Sequence, residues 1–456
     1  MSSHSPRLET DTFLASHPDV EAIDLLLPDL NGVVRGKRIE REALSKVYKE
    51  GVAMPASVFS LDITGNTIEE CGLGLEIGEP DQPCKPVASS LTTTPWQKRP
   101  MAQLLMNMYE SDGSPFFADP RHVLAQQLDR LKALGLTPVV AVELEFYLLD
   151  QNRDQHGKPQ PPLSPKTGKR EGHTQVYSIT DLDNYADFLH DIADYTTAQG
   201  IPADTAVAEN APGQFEINLK HQDDPLAACD NAILLKRVIK ATADKHGMEA
   251  SFMARPYENE AGNGLHIHIS LLDSDGNNVF AQSGQPYSDK LQHAVGGLLA
   301  MMADSMALFC PNVNSYRRLQ PGYYVAMAPT WGVDNRTVAV RIPAGPDAAR
   351  RIEHRISGAD ANPYLVMAAL LAGIHHGLTA QITPPAPIVG NAFATERENL
   401  PNRLPDTLDA LRNSDLIREY FGSRFVELFA TCKASELAEF ERHVTTLETQ
   451  WFLSTL

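Results

Sequence analysis

The stretch VVAVELEFYLL, residues 139–149, decides the fold. It is an apolar strand that carries two glutamates, Glu143 and Glu145. Because side chains alternate between the two faces of a strand, both carboxylates share one face with Tyr147, and the apolar residues between them occupy the other face. Charges on a single strand are common on solvated surfaces. This segment alone therefore leaves a solvated acidic face and a functional one equally open.

Three further segments place ionisable groups within or beside apolar strands. They are AVAENAPGQFEINL (206–219), GLHIHISL (264–271) and RRIEHRIS (350–357). Their ionisable groups are Glu209, Glu216, His266, His268 and Glu353. Each segment is a weak signal by itself, but several buried carboxylates cannot stay ionised near one another without a cation. A set of oxygen and imidazole ligands without thiolates suits Mg²⁺ or Mn²⁺ better than structural zinc.

Several arginines accompany these carboxylates along the chain. They are Arg318, Arg336, Arg341, Arg351 and Arg355. The planar guanidinium group binds phosphates and carboxylates through paired hydrogen bonds. Divalent metals and arginines together, without an evident nucleophile, indicate phosphoryl transfer.

The composition excludes some classes of partner. Among 456 residues, 58 acidic and 39 basic side chains give a formal charge of −19. This balance disfavours nucleic acids and anionic membranes, both of which need clustered Lys and Arg. The five cysteines are scattered without CxxC spacing, and neither a signal-peptide core nor 18 uninterrupted apolar residues is evident. We therefore expect a cytoplasmic, reduced protein.

Composition and turn signals divide the chain into three parts. These are a polar N-terminal tail (1–20), a β-rich unit (21–115) and a larger domain of helices and strands (116–456). In the second part, the Asn31-Gly32 pair predicts a tight hairpin. In the third, Asp119-Pro120 predicts the start of a helix that ends at Gly135. Residues 151–175 and 381–406 are expected to be loops that could act as lids.

Six segments, in order, resemble the glutamine synthetase family over nearly the whole chain. They are VELEFYLLD (142–150), ENAPGQFEINL (209–219), GNGLHIHISL (262–271), NSYRRLQPG (314–322), NRTVAVRIP (335–343) and ADANPYLVMAALLAG (359–373). The resemblance implies an α+β fold, with a β-grasp N-terminal domain and a catalytic domain built on a curved antiparallel sheet. It also implies homo-oligomers, usually dodecamers of two stacked hexameric rings, with active sites between neighbouring subunits.

The resemblance also assigns site residues. One metal is expected at Glu145, Glu209 and Glu216, and another at Glu143, His266 and Glu353. ATP contacts are expected from His268, Ser270, Arg336, Arg341 and Arg351. Glutamate is expected at Gly262, Arg318 and Arg355, and the catalytic arginines are Arg318, Arg336 and Arg355. The implied cofactors are ATP and two or three Mg²⁺ (or Mn²⁺) ions, and the implied reaction passes through γ-glutamyl phosphate.

Two departures from the family pattern concern the nitrogen donor. Ammonia-using members carry a glutamate where Tyr324 stands here and an aspartate where Pro55 stands. A carboxylate about 4 Å from an ammonium ion stabilises it by roughly 4 kcal/mol at an effective dielectric constant near 20, so losing both should abolish ammonium capture. Segments such as DLNGVVRGKRI resemble the γ-glutamylputrescine and γ-glutamylpolyamine synthetases. Asp62 is a candidate to hold the second amine.

The sequence thus favours ATP-dependent γ-glutamylation of putrescine or a longer polyamine, in polyamine catabolism. Three alternatives stay open: an enzyme for a monoamine such as ethanolamine or an aromatic amine, a true glutamine synthetase, and an inactive structural or nitrogen-sensing homologue. The complete set of metal-binding positions disfavours the last, because such a cluster of charges is costly to keep without a cation.

Overall fold

The Asn31-Gly32 turn joins the first two strands of the chain, as its sequence predicts. Strand β1 (Ala22–Pro28) pairs in antiparallel register with β2 (Val34–Glu40), and Gly32 has a φ of +70°. Glycine adopts this conformation without the steric cost that a Cβ would bring. The computed structural model describes residues 6–173, 176–282, 284–285, 287–395 and 398–456.

The N-terminal sheet continues from this hairpin. Its other strands are β3 (Val52–Pro55), β4 (Asp81–Pro86), β5 (Thr92–Thr93) and β6 (Met101–Met108). The strand order is β2-β1-β6-β4-β3, and β5 also pairs with β6. Strands β1 and β6 run parallel at the centre, and the side chains of β6 are buried on both faces. A mixed sheet with a parallel central pair agrees with the expected β-grasp unit.

Helices cover both sheets. In chain order they are α1 (Pro6–Ser16), α2 (Leu44–Glu50), α3 (Pro120–Ala133), α4 (Ile179–Asn184), α5 (Ala186–Ala198), α6 (Pro225–Lys245), α7 (Asp289–Phe309), α8 (Ser315–Arg318), α9 (Pro363–Ala380), α10 (Leu404–Asn413), α11 (Asp415–Phe421), α12 (Ser423–Arg442) and α13 (Thr446–Phe452). Helix α3 begins as predicted, with the Asp119 carboxylate accepting from the Arg121 amide. Gly135 follows its end with a φ of +72°.

Helix α1 lies where the sequence suggests a polar tail. Residues 1–5 of that tail lie outside the described residues, but α1 packs on the N-terminal unit through the partly buried Phe13 and Leu14. Arg41 donates to the Leu14 carbonyl oxygen at 2.7 Å. The packing of α1 depends on only two apolar residues and one arginine, so the polar composition of the segment did not predict a packed helix.

The second sheet carries the site. Its strands are β7 (Thr137–Asp150), β8 (Ala203–Ala208), β9 (Gln214–Leu219), β10 (Met248–Ser251), β11 (Leu265–Leu272), β12 (Trp331–Val333), β13 (Val340–Ile342) and β14 (Ile352–His354). The order is β12-β13-β14-β11-β7-β9-β8, with β10 paired to β7. The sheet curls into a half-barrel. Its pairings are antiparallel, except that β12 and β13 at the edge run parallel.

Helix α9 forms the apolar centre of the larger domain. It packs closely against α7, where a Cβ on Gly297 would lie only 2.0 Å from the Gly373 carbonyl oxygen. Helix α9 is long and apolar enough to cross a membrane, but 72% of it is buried inside the protein. Its apolar composition is therefore explained by its position in the protein core.

The two predicted loops are largely irregular. Over 151–173 the described chain has an isolated bridge between Leu163 and Arg170, and residues 174–175 lie outside the described part. The second loop ends earlier than expected, because α10 begins at Leu404 with a proline in its first turn. Residues 396–397 of that loop also lie outside the described part.

Candidate active site

The register of four neighbouring strands gathers most of the predicted ionisable residues on one face of the curled sheet, and Glu209 joins them from the turn between β8 and β9. His266 on β11 lies opposite Glu143 on β7. Glu145, two residues along β7, lies opposite Glu216 on β9. Residues directly opposite in an antiparallel pair point to the same face, with Cβ atoms about 5 Å apart. The alternating pattern of one strand therefore becomes a cluster drawn from several strands.

The ligand atoms of this cluster form three groups. In each group of the described chain, the atoms lie within 4.8 Å of one another. The groups are Glu145, Glu209 and Glu216; Glu143, His268 and Glu353; and Glu143, Glu216 and His266. The first is the trio expected for one metal.

The expected second trio is divided between the other two groups. Glu143, His266 and Glu353 do not form a group of their own in the described chain. The reason is register, since β14 places Glu353 directly opposite His268. The His268 Nε2 atom lies 2.8 Å from one Glu143 oxygen, and the His266 Nδ1 atom lies 3.2 Å from the other. His268, expected only at ATP, therefore also lies in a group that could hold a metal ion.

Burial and the crowding of carboxylates raise the proton affinity of Glu216 and Glu209. Burial, followed by the charges of Glu143, Glu145 and Glu209, raises the pKa of Glu216 to about 9. Burial, followed by the charge of Glu145, raises the pKa of Glu209 to about 7. Such groups hold protons at neutral pH unless another cation replaces them. A set of oxygen and imidazole donors with this excess of negative charge fits Mg²⁺ or Mn²⁺.

Histidines and arginines set the charge of the other carboxylates. Burial would raise the pKa of Glu143, but hydrogen bonds from His266 and His268 lower it. Burial would also raise the pKa of Glu353, but the charge of Arg355 and those of the two histidines lower it to about 2. Glu353 pairs with Arg355 and, at 2.8 Å, with Arg341. It therefore connects the metal-ligand cluster to the arginines.

Arg318 is buried at the edge of the cluster. Its Nη1 atom donates to the Ile356 carbonyl oxygen at 2.7 Å. Its Nε atom, like those of Arg341 and Arg355, is buried without a hydrogen-bond partner in the described chain. Buried unpaired donors on guanidinium groups suit anionic ligands such as carboxylate and phosphate. This arrangement fits the expected sites for glutamate and for the transferred phosphoryl group.

Two glycines make room for Arg318, and one of them is not predicted from the sequence. A Cβ on Gly262 would lie 2.7 Å from the Arg318 Cγ atom. A Cβ on Gly264 would lie 2.8 Å from both the Arg318 Nη2 and the His266 Nε2 atoms. The Gly264 amide also donates to the Glu145 carboxylate at 2.6 Å. The only sequence signal for Gly264 is its place before a strand in a glycine-containing motif.

The other residues expected at ATP include Arg351, Ser270 and Arg336. The Arg351 Nε atom lies 3.1 Å from the His268 Nδ1 atom, on the side of the ring away from Glu143. Ser270 follows on the same face of β11. Arg336 is exposed. Burial and the charge of Glu145 raise the pKa of Glu209, and the positive charge of Arg336 partly offsets that rise.

The residues expected at the amine are not brought to the cluster by any hydrogen bond or ion pair of the described chain. Tyr324 is 56% exposed, with a φ of +55°. Pro55 ends β3 in the N-terminal unit. The Asp62 carboxylate accepts from the Thr64 and Asn66 amides, and so holds its own turn. The amine site thus stays a prediction.

Comparison with known proteins agrees with this geometry. The family model described as "Glutamine synthetase, catalytic domain" matches residues 117–452. The chain is 48% identical to the γ-glutamylputrescine synthetase PuuA of Escherichia coli K12, over 98% of this chain and 94% of that one. It is 33% identical to the glutamate–isopropylamine ligase of a Pseudomonas species, over 98% and 97%. The solved structure "Apo GmaS without ligand" superimposes with a TM-score of 0.83 at 28% identity, covering 97% of this chain and 98% of that one.

The fold and the carboxylate cluster define a ligase that uses ATP and a divalent metal. The chain belongs to the glutamine synthetase family. It is a glutamate–amine ligase.

Proposed function

We propose that this protein joins the γ-carboxylate of glutamate to putrescine or a longer polyamine, in a reaction driven by ATP, and acts in polyamine catabolism. The observation that carries this proposal is the 48% identity with a γ-glutamylputrescine synthetase over 98% of the chain. The residues Tyr324 and Pro55, which stand where ammonium-binding carboxylates are expected, support an amine other than ammonia.

The chemistry proceeds in two steps. A γ-carboxylate oxygen of glutamate attacks the γ-phosphorus of ATP, the bond to the bridging oxygen breaks, and ADP leaves. The amine nitrogen then attacks the carbonyl carbon of γ-glutamyl phosphate, phosphate leaves with the C–O electron pair, and a base takes the ammonium proton. The first step concentrates negative charge, so preorganised cations favour its transition state.

We assign the metals to the carboxylate groups of the cluster. Glu145, Glu209 and Glu216 would hold one ion, and Glu143 with His268 and Glu353, or with His266 and Glu216, would hold one or two more, Mg²⁺ or Mn²⁺. When bound, such ions neutralise phosphate charge and act as Lewis acids. The burial and the crowding of carboxylates that raise the pKa values of Glu209 and Glu216 support this assignment.

In this proposal, the arginines bind the anionic parts of the substrates. Arg318 and Arg355 bind and orient glutamate and the phosphoryl group, beside Gly262. Arg336 and Arg341 hold the γ-phosphate, while Arg351, His268 and Ser270 contact ATP. The buried unpaired Nε atoms of Arg318, Arg341 and Arg355 support these roles.

For the amine we propose a pocket completed by a neighbouring copy of the chain. Tyr324 would line it from one copy, and Pro55 and Asp62 from the N-terminal unit of the next. This arrangement needs a homo-oligomer, which we propose is a dodecamer of two stacked hexameric rings in the cytoplasm.

A phosphate-release screen tests the proposal. The purified protein is supplied with ATP, Mg²⁺ and glutamate, and then with putrescine, spermidine, ethanolamine, isopropylamine or ammonium. Release should be fastest with putrescine or spermidine and at least about tenfold slower with ammonium, because the two carboxylates for ammonium are absent. Equal rates with ammonium would refute the amine assignment, and mass spectrometry of the product confirms the amide.

A monoamine is the second candidate. It is favoured by the 33% identity with a glutamate–isopropylamine ligase and by the exposed ring of Tyr324, which could cover an apolar amine. Isopropylamine or ethanolamine exceeding putrescine in the same screen would select this candidate.

A further inference from the structure

Two cysteines, 361 positions apart, lie side by side between the N-terminal unit and helix α12. Cys71 ends a short 3₁₀ turn (Glu69–Cys71) and is partly exposed, whereas Cys432 lies in α12 and is buried. Their Sγ atoms are 3.2 Å apart. A disulfide has an S–S distance of about 2.0 Å, so the sulfurs need to approach by only about 1 Å.

Each of the two sulfurs also contacts a backbone carbonyl oxygen on the opposite side of the interface. The Cys71 sulfur lies 3.9 Å from the carbonyl oxygen of Leu428, one turn before Cys432 in α12. The Cys432 sulfur lies 4.0 Å from the carbonyl oxygen of Phe59 in the N-terminal unit. Cys71 therefore contacts the backbone of α12, Cys432 contacts the backbone of the N-terminal unit, and the contact between the thiols depends on how these two parts pack.

The other cysteines have different surroundings. Cys84, Cys229 and Cys310 are buried, and their sulfurs lie 3.5 to 4.0 Å from the backbone carbonyl oxygens of Gln82, Pro363 and Ile356 respectively. Burial raises the pKa of each of these thiols. Buried, protonated thiols react slowly with oxidants. They serve as internal controls for the reactivity of the pair.

We propose that Cys71 and Cys432 form a redox-active dithiol, which a hydroperoxide converts to a reversible disulfide between the N-terminal unit and α12. The Cys71 thiol loses its proton, and its sulfur attacks one oxygen of hydrogen peroxide. The O–O bond breaks, giving a sulfenic acid and one water. The Cys432 sulfur then attacks the Cys71 sulfur, the S–O bond breaks, and a second water leaves. Two thiols and one peroxide thus give one disulfide and two waters, and an external dithiol reverses the reaction.

The exposures of the two thiols set the order of events. Cys71, the more exposed, meets the oxidant first. The hydrogen bond between the two thiols is the largest cause that raises the pKa of Cys432, and burial is the next. Cys432 therefore stays protonated until Cys71 has been oxidised. Cys432 lies next to the sulfenic acid and resolves it before further oxidation.

The disulfide would hold a segment that is already attached to α12. Next to Cys432, the buried Lys433 ammonium donates to Asn31, to Asn312 at 3.2 Å and to Glu436 at 2.8 Å. Glu436 in turn accepts from the Ile63 amide at 2.8 Å. A covalent bond one residue from this network would restrain the N-terminal segment that contains Asp62.

Thiol counting and peptide mapping on the full-length protein test the proposal. After one equivalent of hydrogen peroxide, thiols titrated in denaturant should fall from five to three, and dithiothreitol should restore five. Non-reducing mass spectrometry should show one cross-linked peptide containing Cys71 and Cys432. The Tm should rise by about 3 °C on oxidation, because the bond restricts the unfolded chain.

Variants separate this pair from general oxidation. Cys71→Ser and Cys432→Ser should each abolish the cross-link and the rise in Tm, whereas Cys84→Ser should retain both. Five thiols remaining in the wild-type protein, a cross-link through another cysteine or between chains, or sulfinic acid at Cys71 without a cross-link would each overturn the proposal.

Discussion

Metal binding to the carboxylate cluster should release protons, because protons and metal ions compete for the same oxygen atoms. In the metal-free protein, Glu216 with a pKa of about 9 is almost fully protonated at pH 7, and Glu209 with a pKa of about 7 is half protonated. The two groups together hold about 1.5 protons at pH 7. Saturation with Mg²⁺ or Mn²⁺ should displace about that number for each chain, and the apparent affinity should rise about 30-fold per pH unit near pH 7.

The energy behind this expectation is large. Raising the pKa of Glu216 from 4.5 to about 9 corresponds to a penalty of about 6 kcal/mol for its ionised form. The penalty comes from burial first and from the neighbouring carboxylates second. A divalent ion opposes both, because it supplies the missing positive charge within the cluster.

Isothermal titration calorimetry measures the proton release. Mn²⁺ is titrated into the metal-free protein in buffers of different ionisation enthalpy, and the slope of the observed enthalpy gives the protons released. Glu216→Gln should reduce the release by about one proton. Glu249→Gln, a substitution at a half-exposed residue of β10 that pairs with Arg153, should leave it unchanged. A release below about 0.3 protons in the wild-type protein would refute the reasoning.

Three further outcomes are expected. The metal-free protein should lose stability as the pH rises from about 5 to 9, since a carboxyl group with a raised pKa stabilises the fold only while it is protonated; Tm measured with a chelator should fall over this range, and saturating Mg²⁺ should remove the fall. Gly264→Ala should lower kcat/KM for glutamate at least about tenfold, because the added Cβ would displace the Arg318 guanidinium. The control Gly172→Ala, where a Cβ meets nothing within 4 Å, should leave kcat/KM unchanged. Equal losses in both variants would contradict the packing argument. Tyr324→Glu should raise the rate with ammonium relative to putrescine by about tenfold, since it restores a carboxylate; an unchanged ratio in the phosphate-release assay would place Tyr324 away from the amine.

Local rules were sufficient for the features that depend on neighbouring residues. Side-chain alternation predicted that Glu143, Glu145 and Tyr147 share one face of β7, and the structure confirms it. The Asn31-Gly32 hairpin and the Asp119 helix cap were also predicted, and both are confirmed. These features depend on backbone geometry over a few residues, which sequence spacing reports directly.

Tertiary structure decided what depends on register and packing between distant segments. The pairing of β11 with β14 places His268, rather than His266, next to Glu353, and residue spacing along one strand cannot reveal which partner faces it. The need for glycine at position 264 arises from Arg318, which lies 54 positions further along the chain. The contact between Cys71 and Cys432 depends on two elements 361 positions apart. A sequence determines which side chains can react, but the approach of those side chains depends on the free energy of packing the whole chain.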